Sequence, residues 1–306
     1  MAERRTHPRN QSQLYKIMNP AQLADKLGIK HKQLNQLLKA DDNYIRWVDE
    51  KTSRLIQQPK PLLDVVHKRV GLLLSRIETP DFLHSAIKGR SYISNASQHA
   101  SNQPTAKIDI RKFYPSIRAQ AVFHFFRDRM KCAEHVAGML TQLLTADGHL
   151  ATGSSASPIL SYFAYEDMFS EIEMLAVSRE CKMTCYIDDM ASTGKGATRR
   201  LIYGMNKILA RYRLLGHKTK LFKARQPKVI TGVAIVSDGI RLPNKRQKII
   251  RQDLALLDSA GNDSCRLEIN RRLVGRLFEA AQIDPRWLPR AELILAQKRG
   301  LDQRLS

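Results

Sequence analysis

The sequence predicts an α+β fold, in which short apolar strands that end in acidic residues are interspersed with amphipathic helices. Met183–Ile187 is an apolar run that leads directly into Asp188 and Asp189, and a second apolar run, Met190–Thr193, follows at once. This pattern is typical of a tight hairpin with paired carboxylates at its tip. A separate short strand carries Asp109, and segments with helical periodicity lie before and after both regions.

The composition of the chain limits its possible partners. Its 306 residues contain 51 lysines and arginines against 29 aspartates and glutamates, a formal net charge of +22. An excess of this size predicts a polyanionic partner. No segment approaches the roughly 20 apolar residues of a membrane helix, and Met1–Asn10 is polar and basic, so we expect no membrane partner and a cytoplasmic location. The four cysteines are scattered and form no Cys-x-x-Cys pair, so we expect reduced thiols and no zinc site: Cys132, Cys181, Cys185 and Cys265.

We expect the N-terminal segment, residues 1 to about 18, to be disordered or loosely attached, and two short helices to follow it. Small and apolar residues there have the spacing of a helix-turn-helix, with a glycine at the turn: Ala24, Gly28, Ile29, Leu34 and Leu37. The same spacing suits either a DNA-reading module or a helix corner that packs on a larger body. We favour packing, because no complete three-helix domain fits before Tyr44.

The next elements follow from periodicity and turn residues. Alternating polar and apolar residues over 43–58 predict a hairpin with a basic face, and Pro61 begins a helix that Thr79-Pro80 ends. Residues 82–105 are polar and rich in small side chains. Further helices are predicted over Gln120–Arg127, Glu134–Leu144, a long stretch from Pro158, and Ala197–Leu215. A strand over Val229–Val236 and a basic helical region from Lys245 complete the chain.

The three aspartates predict a metal-dependent reaction. Carboxylates that converge from two strands suit a pair of Mg²⁺ ions, which prefer oxygen ligands and commonly share them with phosphates. Asp109 and Asp188 are the candidate bridging ligands, Asp189 is a supporting ligand, and the carbonyl of Ile110 is a candidate backbone ligand. Such a site is typical of an enzyme that joins nucleotides. The alternative is that Asp188-Asp189 is a solvated pair in an ordinary turn, since aspartate favours turns.

Four motifs, taken in order, resemble those of reverse transcriptases, and among them the retron type. The motifs are Asn95–His99 (Asn-Ala-Ser-Gln-His), Asp109–Ile117 (with two aromatic residues before Pro-Ser), Tyr186–Asp189 (Tyr-Ile-Asp-Asp) and Val229–Gly232 (Val-Ile-Thr-Gly). The resemblance implies a right-hand polymerase. Its parts would be an N-terminal helical extension (1–43), fingers (44–105), a palm with the catalytic aspartates (106–236) and a short helical thumb that binds RNA (237–306).

The resemblance also implies roles for individual residues. Asp109, Asp188 and Asp189 would be catalytic and bind two Mg²⁺ ions, and Tyr114 would act as a steric gate that selects dNTPs over nucleotides with a 2′-hydroxyl. Three basic residues would hold the triphosphate: Arg54, Lys60 and Lys220, with Lys218 as an alternative to the last. Each of these three is equally compatible with a solvated side chain or a contact to a phosphate backbone.

RNA contacts are implied at two places. Asn95 and His99 either touch structured RNA or brace the fingers, and the sequence leaves both open. Basic residues near the C-terminus suit recognition of RNA shape through phosphates and 2′-hydroxyls: Lys245, Arg246, Arg271 and Arg272. One segment departs from the family pattern. Ala151 and Thr152 stand where many reverse transcriptases have Pro and Gln, in a segment that positions template and nucleotide.

The resemblance implies a particular reaction. Retron enzymes copy part of a structured non-coding RNA into single-stranded DNA that remains joined to the RNA (msDNA), and the complex often works with an effector protein in anti-phage defence. Two alternatives stay open from the sequence. One is another bacterial reverse transcriptase, of the group II intron or diversity-generating type. The other is a catalytically silent RNA-binding scaffold, which the unusual Ala151-Thr152 suggests.

Overall fold

The computed structural model describes residues 6–50 and 52–305, which form two compact units. The first unit comprises the chain up to Ser91 together with Thr105–Leu221, and the second comprises Tyr92–Pro104 and the chain from Phe222 onward. These units divide the chain at other places than the predicted boundaries of fingers, palm and thumb, which stay a prediction.

The elements are numbered in chain order. The helices are α1 (Pro20–Leu27), α2 (His31–Lys39), α3 (Pro61–Leu74), α4 (Tyr92–Ser97), α5 (Phe113–Ser116), α6 (Ala119–His124), α7 (Glu134–Leu144), α8 (Ser157–Ala164), α9 (Glu166–Val177), α10 (Arg199–Arg211), α11 (Asn244–Asp258), α12 (Asp263–Ile283) and α13 (Leu288–Leu305). The strands are β1 (Tyr44–Asp49), β2 (Arg54–Pro59), β3 (Thr105–Ile110), β4 (Thr145–Ala146), β5 (His149–Leu150), β6 (Cys181–Tyr186), β7 (Asp189–Gly194), β8 (Gly216–Phe222), β9 (Lys228–Ile230), β10 (Val233–Val236) and β11 (Gly239–Arg241).

A four-stranded sheet of order β6-β7-β3-β8 lies at the centre of the first unit. Strand β7 pairs antiparallel with both β6 and β3 and is buried along almost its whole length. Fully buried side chains such as Ile108, Cys185 and Met190 fix the register, because a slip of one residue would move each of them to the opposite face. The predicted acidic hairpin is therefore confirmed as β6 and β7.

The N-terminal region packs into the core of the first unit. Leu14 and Ile17 are buried, so the expectation of a loosely attached segment is wrong for residues 6–18, while Met1–Arg5 lie outside the described residues. The predicted helix corner forms as α1 and α2, with Gly28 in the left-handed conformation at φ 72° between them. The apolar faces of both helices are buried in this core, including Leu23 and Leu34, which supports the packing interpretation.

Two predicted elements differ from the structure. The long helix from Pro158 is interrupted at Tyr165, whose backbone (φ −129°, ψ 27°) is not helical, and a new helix begins at Glu166. Acidic residues in the first turn of that helix favour a start there, because they interact well with its amino-terminal dipole. The strand predicted over Val229–Val236 is the hairpin β9–β10, because Thr231 and Gly232 adopt positive φ angles of 44° and 78° and reverse the chain.

The second unit contains the three-stranded sheet β11-β10-β9, which α4 contacts, and the helices α11, α12 and α13. Buried leucines of α12, including Leu273 and Leu277, form its apolar core with residues of α13 such as Ala291. Among the described residues, no helix combines the length and the apolar character needed to cross a lipid bilayer.

A buried histidine joins four segments of the first unit. His67 of α3 lies 2.8 Å through Nε2 from the carbonyl oxygen of Leu143, so Nε2 carries the proton and donates it. Its Nδ1 therefore accepts from the hydroxyl of Ser154 at 2.5 Å, and the Tyr44 hydroxyl donates to the same Leu143 carbonyl at 3.1 Å. Burial lowers the pKa of His67 to about 4, because the imidazolium form would lose its hydration.

We expect the first unit to lose stability as pH falls from about 6.5 to about 4. The unfolded chain binds a proton on His67 near pH 6.5, whereas the folded chain resists protonation until about pH 4. Above pH 6.5 His67 is neutral in both states and the first unit has its full stability. Between pH 6.5 and pH 4 the free energy of unfolding falls by about 3 kcal/mol. Urea unfolding of the wild type and His67→Gln at pH 7.0, 6.0 and 5.0 should show a weaker pH dependence in the variant. The exposed His135→Gln serves as the control, and an equal slope in His67→Gln would contradict the assignment.

Candidate active site

The central sheet brings the acidic residues of two distant segments together. Asp109 at the end of β3 lies directly opposite Asp189 at the start of β7, so both side chains are on the same face of the sheet. The backbone amide of Ile110 donates to the carbonyl oxygen of Asp188 at 3.0 Å. This pairing joins the end of β3 to the tip of the acidic hairpin, although 78 residues separate Ile110 from Asp188 in the sequence.

The hairpin tip is strained. Ile187 and Asp188 form a two-residue connection between β6 and β7, and Ile187 has a φ of 61°. A β-branched residue rarely adopts positive φ, at a cost of order 1–3 kcal/mol. The pairing of β6, β7 and β3 holds this conformation, and it places Asp188 beside Asp109 at the end of the sheet.

The two carboxylates at this edge repel each other. Burial raises the pKa of Asp188 to about 6, and the negative charge of Asp109 adds to this rise. A smaller contribution in the same direction comes from Asp189, while the positive charge of Arg54 opposes the rise. A raised carboxyl pKa that combines burial with a like charge is a common property of functional sites.

Basic side chains lie close to the other two carboxylates. The ammonium of Lys107 lies 2.6 Å from Oδ2 of Asp189. Oδ2 of Asp109 is 3.3 Å from Nε2 of His217 and 3.7 Å from Nζ of Lys218. Neither Lys107 nor His217 was predicted from the sequence. Lys107 had a usable signal, because it lies two residues before Asp109 and so on the same face of the strand. His217 had none, because the exposed and basic strand β8 was not predicted.

The donor chemistry at this edge fits a divalent cation at two of the three aspartates. Asp109 and Asp188 provide close carboxylates whose repulsion such an ion would relieve. In contrast, Asp189 is held by Lys107, and no cluster of three or more His, Cys, Asp or Glu side chains in the described ranges is arranged to hold a metal. The Ile110 carbonyl remains a predicted ligand.

Tyr114 lies next to the acidic residues. Burial raises the pKa of its hydroxyl well above the ordinary range, and the nearby Asp188 and Tyr186 raise it further. Its ring is 5.8 Å from that of Phe113, which is buried and packs edge-on against Phe169 at 6.2 Å. The predicted steric-gate residue therefore has a fixed position close to Asp188.

The predicted triphosphate contacts have different surroundings. Arg54, the first residue of β2, is exposed, and its charge reaches Asp188. Lys60 donates to the backbone carbonyl of Asp42 at 3.0 Å, beside the hairpin. Lys220 is exposed on β8, two residues beyond Lys218. Of the three, Arg54 is the one whose charge acts on Asp188.

Two of the six predicted RNA-binding residues are buried. Asn95 and His99 of the second unit have 0% exposure, and Nδ2 of Asn95 is 3.5 Å from the hydroxyl of Thr231. That hydroxyl donates to the carbonyl of Tyr92, so α4 is tied to the β9–β10 hairpin. The sequence left two roles open for Asn95 and His99, contact with RNA or bracing of the surrounding structure. Their burial fits bracing within the second unit, and it gives no support to direct RNA contact by these side chains.

The remaining four predicted RNA contacts lie on the helices of the second unit. Lys245 is exposed near the start of α11. Arg246 donates to Glu279 at 2.9 Å and stacks over the ring of Tyr92. Arg271 pairs with Asp302 at 3.4 Å. Arg272 binds the buried carboxylate of Asp253 at 2.9 Å, so part of its charge is already neutralised.

Removing the Lys107 ammonium should destabilise the first unit. Both side chains of the Lys107–Asp189 pair are less than one-fifth exposed, so Lys107→Met deprives a largely buried carboxylate of this cation. We expect the free energy of unfolding to fall by about 2 kcal/mol. Lys107→Met/Asp189→Asn should lose less than the sum of the single variants. Lys68→Met, which breaks an exposed pair with Asp64, is the control for urea unfolding. Equal effects of Lys107→Met and Lys68→Met would refute the buried pair.

Comparison with known proteins identifies the family. The model of the family described as reverse transcriptase (RNA-dependent DNA polymerase) matches residues 30–235. The chain is similar to the retron Se72 reverse transcriptase of Salmonella heidelberg (strain 579083-10), with 29% identity over 212 residues, 65% of this chain and 55% of that protein. It is also similar to the retron Ec86 reverse transcriptase of Escherichia coli, with 24% identity over 208 residues, 66% of this chain and 64% of that protein. The matches thus span between one half and two thirds of these curated relatives. The family model matches more than half of this chain, and the chain therefore belongs to the reverse transcriptase family.

Proposed function

We propose that this chain is an RNA-directed DNA polymerase of the retron type. Its substrate would be a structured non-coding RNA, part of which it copies into single-stranded DNA that stays joined to the RNA (msDNA). The observation that carries the proposal is the desolvated and mutually repelling pair Asp109 and Asp188, located in a chain of the reverse transcriptase family. The names of the two retron relatives support the retron type.

The proposed site uses Asp109 and Asp188 to hold the catalytic cation, with the Ile110 carbonyl as a further ligand. Reverse transcriptases generally use divalent metal ions. Two Mg²⁺ ions would activate the attacking hydroxyl and stabilise the leaving pyrophosphate. Asp189 would support the site through its pair with Lys107, which keeps the start of β7 fixed against β3.

The neighbouring residues would select and orient the nucleotide. Arg54 carries a positive charge close to Asp188, where the triphosphate of an incoming dNTP would need neutralisation. Lys60 and Lys220 are weaker candidates for the same role. The half-buried ring of Tyr114 would occupy the space that a 2′-hydroxyl needs, and so exclude rNTPs.

The proposed RNA contacts rely on the surplus of basic residues. With a net charge of +22, the chain would bind RNA largely through phosphates, and this binding would weaken as salt increases. The exposed Lys245 is the strongest candidate among the predicted residues, because Arg246, Arg271 and Arg272 already pair with carboxylates within the unit. A defence role with an effector protein is part of the retron proposal and rests on the resemblance alone.

A catalytically silent RNA-binding scaffold is the second candidate. It is favoured by the ion pair that occupies Asp189. It also accommodates Ala151-Thr152, where the family pattern changes. The two candidates differ in one property: the enzyme needs Asp188 for DNA synthesis, and the scaffold has no DNA synthesis to lose.

Neutralising either carboxylate should abolish DNA synthesis without abolishing RNA binding. Asp109→Asn and Asp188→Asn each remove a negative charge that would hold the cation. Because the cation would stabilise the transition state by several kcal/mol, the rate of DNA synthesis should fall by about a thousandfold or more. Primer extension with dNTPs and Mg²⁺ measures synthesis, and fluorescence anisotropy at several salt concentrations measures RNA affinity. Asp25→Asn, on the exposed surface of α1, is the control. If the wild type makes no DNA yet binds RNA, the scaffold is favoured.

Shortening Tyr114 should relax sugar selection. Tyr114→Val removes the ring and opens space beside Asp188, so we expect the ratio of kcat/KM for dNTP over rNTP to fall by about tenfold or more. Tyr114→Phe keeps the ring and should keep the ratio. Single-nucleotide incorporation with matched dNTP and rNTP gives both values. The gate assignment would be wrong if Tyr114→Val discriminated as strongly as the wild type.

A further inference from the structure

The outer edge of the β1–β2 hairpin is covered by a short segment of the same unit. Strand β1 pairs with one edge of β2, from Asp49 opposite Arg54 to Tyr44 opposite Pro59. The backbone groups of Leu55 and Gln57 lie on the other edge, because residues two apart in a strand share an edge. An open strand edge needs hydrogen-bond partners, and the segment 152–153 supplies them.

A threonine hydroxyl makes two of these hydrogen bonds. Oγ1 of Thr152 donates to the carbonyl oxygen of Leu55 at 2.7 Å and accepts from the amide of Gln57 at 3.1 Å. The amide of Gly153 donates to the carbonyl oxygen of Gln57 at 3.2 Å. One side chain and one backbone amide thus replace the next strand of a sheet along this edge.

Direct backbone contact fixes the distance between the segment and β2. A Cβ atom on Gly153 would lie 2.8 Å from the carbonyl oxygen of Gln57 and 3.1 Å from Cα of Gln58. A methyl group there would collide with backbone that cannot move aside easily. Thr152, the residue before Gly153, is consequently held close to β2.

A buried amide and an ion pair extend this contact to β1. The Gln57 side chain is fully buried and donates to Oδ2 of Asp147 at 2.7 Å. Asp147 also binds Arg46 of β1 at 3.0 Å, and the Arg46 guanidinium lowers the pKa of that carboxyl. We call Arg46, Gln57, Asp147, Thr152 and Gly153 the hairpin clasp. It joins both strands of the hairpin to the β4–β5 turn and to the segment that follows it.

We propose that Thr152 is a positioning residue that acts through Arg54 on the incoming nucleotide triphosphate. Arg54 is the residue directly before Leu55, whose carbonyl the Thr152 hydroxyl binds, so this hydrogen bond fixes the backbone from which Arg54 extends. The inference rests on the proposed polymerase function. It also gives a role to Thr152, which stands where many reverse transcriptases have Gln: the residue at this position holds the hairpin that carries Arg54.

The proposal predicts a selective loss of nucleotide affinity. Thr152→Val keeps the shape of the side chain and removes both hydrogen bonds, so Arg54 would sample more positions. On poly(rA) primed with oligo(dT), we expect KM for dTTP to rise by about fivefold to tenfold, while kcat changes by less than about twofold. Thr152→Ser keeps the hydroxyl and should stay within about twofold of the wild type in both constants.

A double-variant cycle shows whether Thr152 acts through Arg54. Arg54→Ala should raise KM, and Thr152→Val added to Arg54→Ala should raise it by less than about twofold more, because the positioned group is already missing. Thr141→Val is the matched control. Its hydroxyl also donates to a backbone carbonyl, that of Ala137 at 2.7 Å, but this hydrogen bond lies within α7 and does not hold the hairpin, so kcat and KM should not change.

The outcomes separate this proposal from the proposed function. If the wild type incorporates no dTTP, the polymerase function fails. Suppose that the wild type is active and that Thr152→Val folds. The positioning role is then overturned if Thr152→Val has the KM of the wild type, if it lowers only kcat, or if its effect on KM adds in full to that of Arg54→Ala. If Thr152→Val does not fold, as judged by thermal unfolding, Asp147→Asn weakens the same clasp and should raise KM in the same direction and non-additively with Arg54→Ala. An unchanged KM in that variant would also overturn the role.

Discussion

Repulsion between the carboxylates of Asp109 and Asp188 is the constraint on which the rest of the proposed site depends. Two negative charges that are close together and partly removed from water are unfavourable, and the raised pKa of Asp188 expresses that cost. The pairing of β3 with β7 and the strained Ile187 hold the two groups in place nonetheless. A structure that maintains such repulsion is suited to bind a cation, because the cation converts the cost into affinity.

The surrounding residues give that edge of the sheet its chemistry. Lys107 and Lys218 lie beside the carboxylates of Asp189 and Asp109, so they limit the net negative charge there, and Nε2 of His217 is also within 3.3 Å of Asp109. The positive charge of Arg54 in the hairpin acts to lower the pKa of Asp188, and the charge of Asp188 in turn raises the pKa of Tyr114. The hairpin is itself held by the clasp around Thr152. At the proposed site, sheet register, a fixed hairpin and a half-buried ring would thus determine which groups meet a nucleotide.

Much of this architecture was predictable from local sequence signals. The hairpin around Asp188, the strand of Asp109 and helix α7 were predicted because apolar periodicity and turn residues agree there, and the mixed fold and the family are confirmed. Sequence-based prediction failed where tertiary contacts decide the outcome. Strand β8 is basic and exposed, so it carries no apolar alternation, and its partner β3 is more than 100 residues away. The burial of Asn95 and His99 likewise depends on packing within the second unit, which motif spacing does not encode.

The role of the two repelling carboxylates can be tested most directly by locating a divalent cation. Crystals grown with Mn²⁺, a primed RNA template and a non-hydrolysable dNTP analogue would give anomalous diffraction at the manganese edge. We expect a manganese peak coordinated directly by the carboxylates of both Asp109 and Asp188. No peak at this edge of the sheet, or a peak that neither carboxylate coordinates, would show that their repulsion does not serve to bind a metal ion.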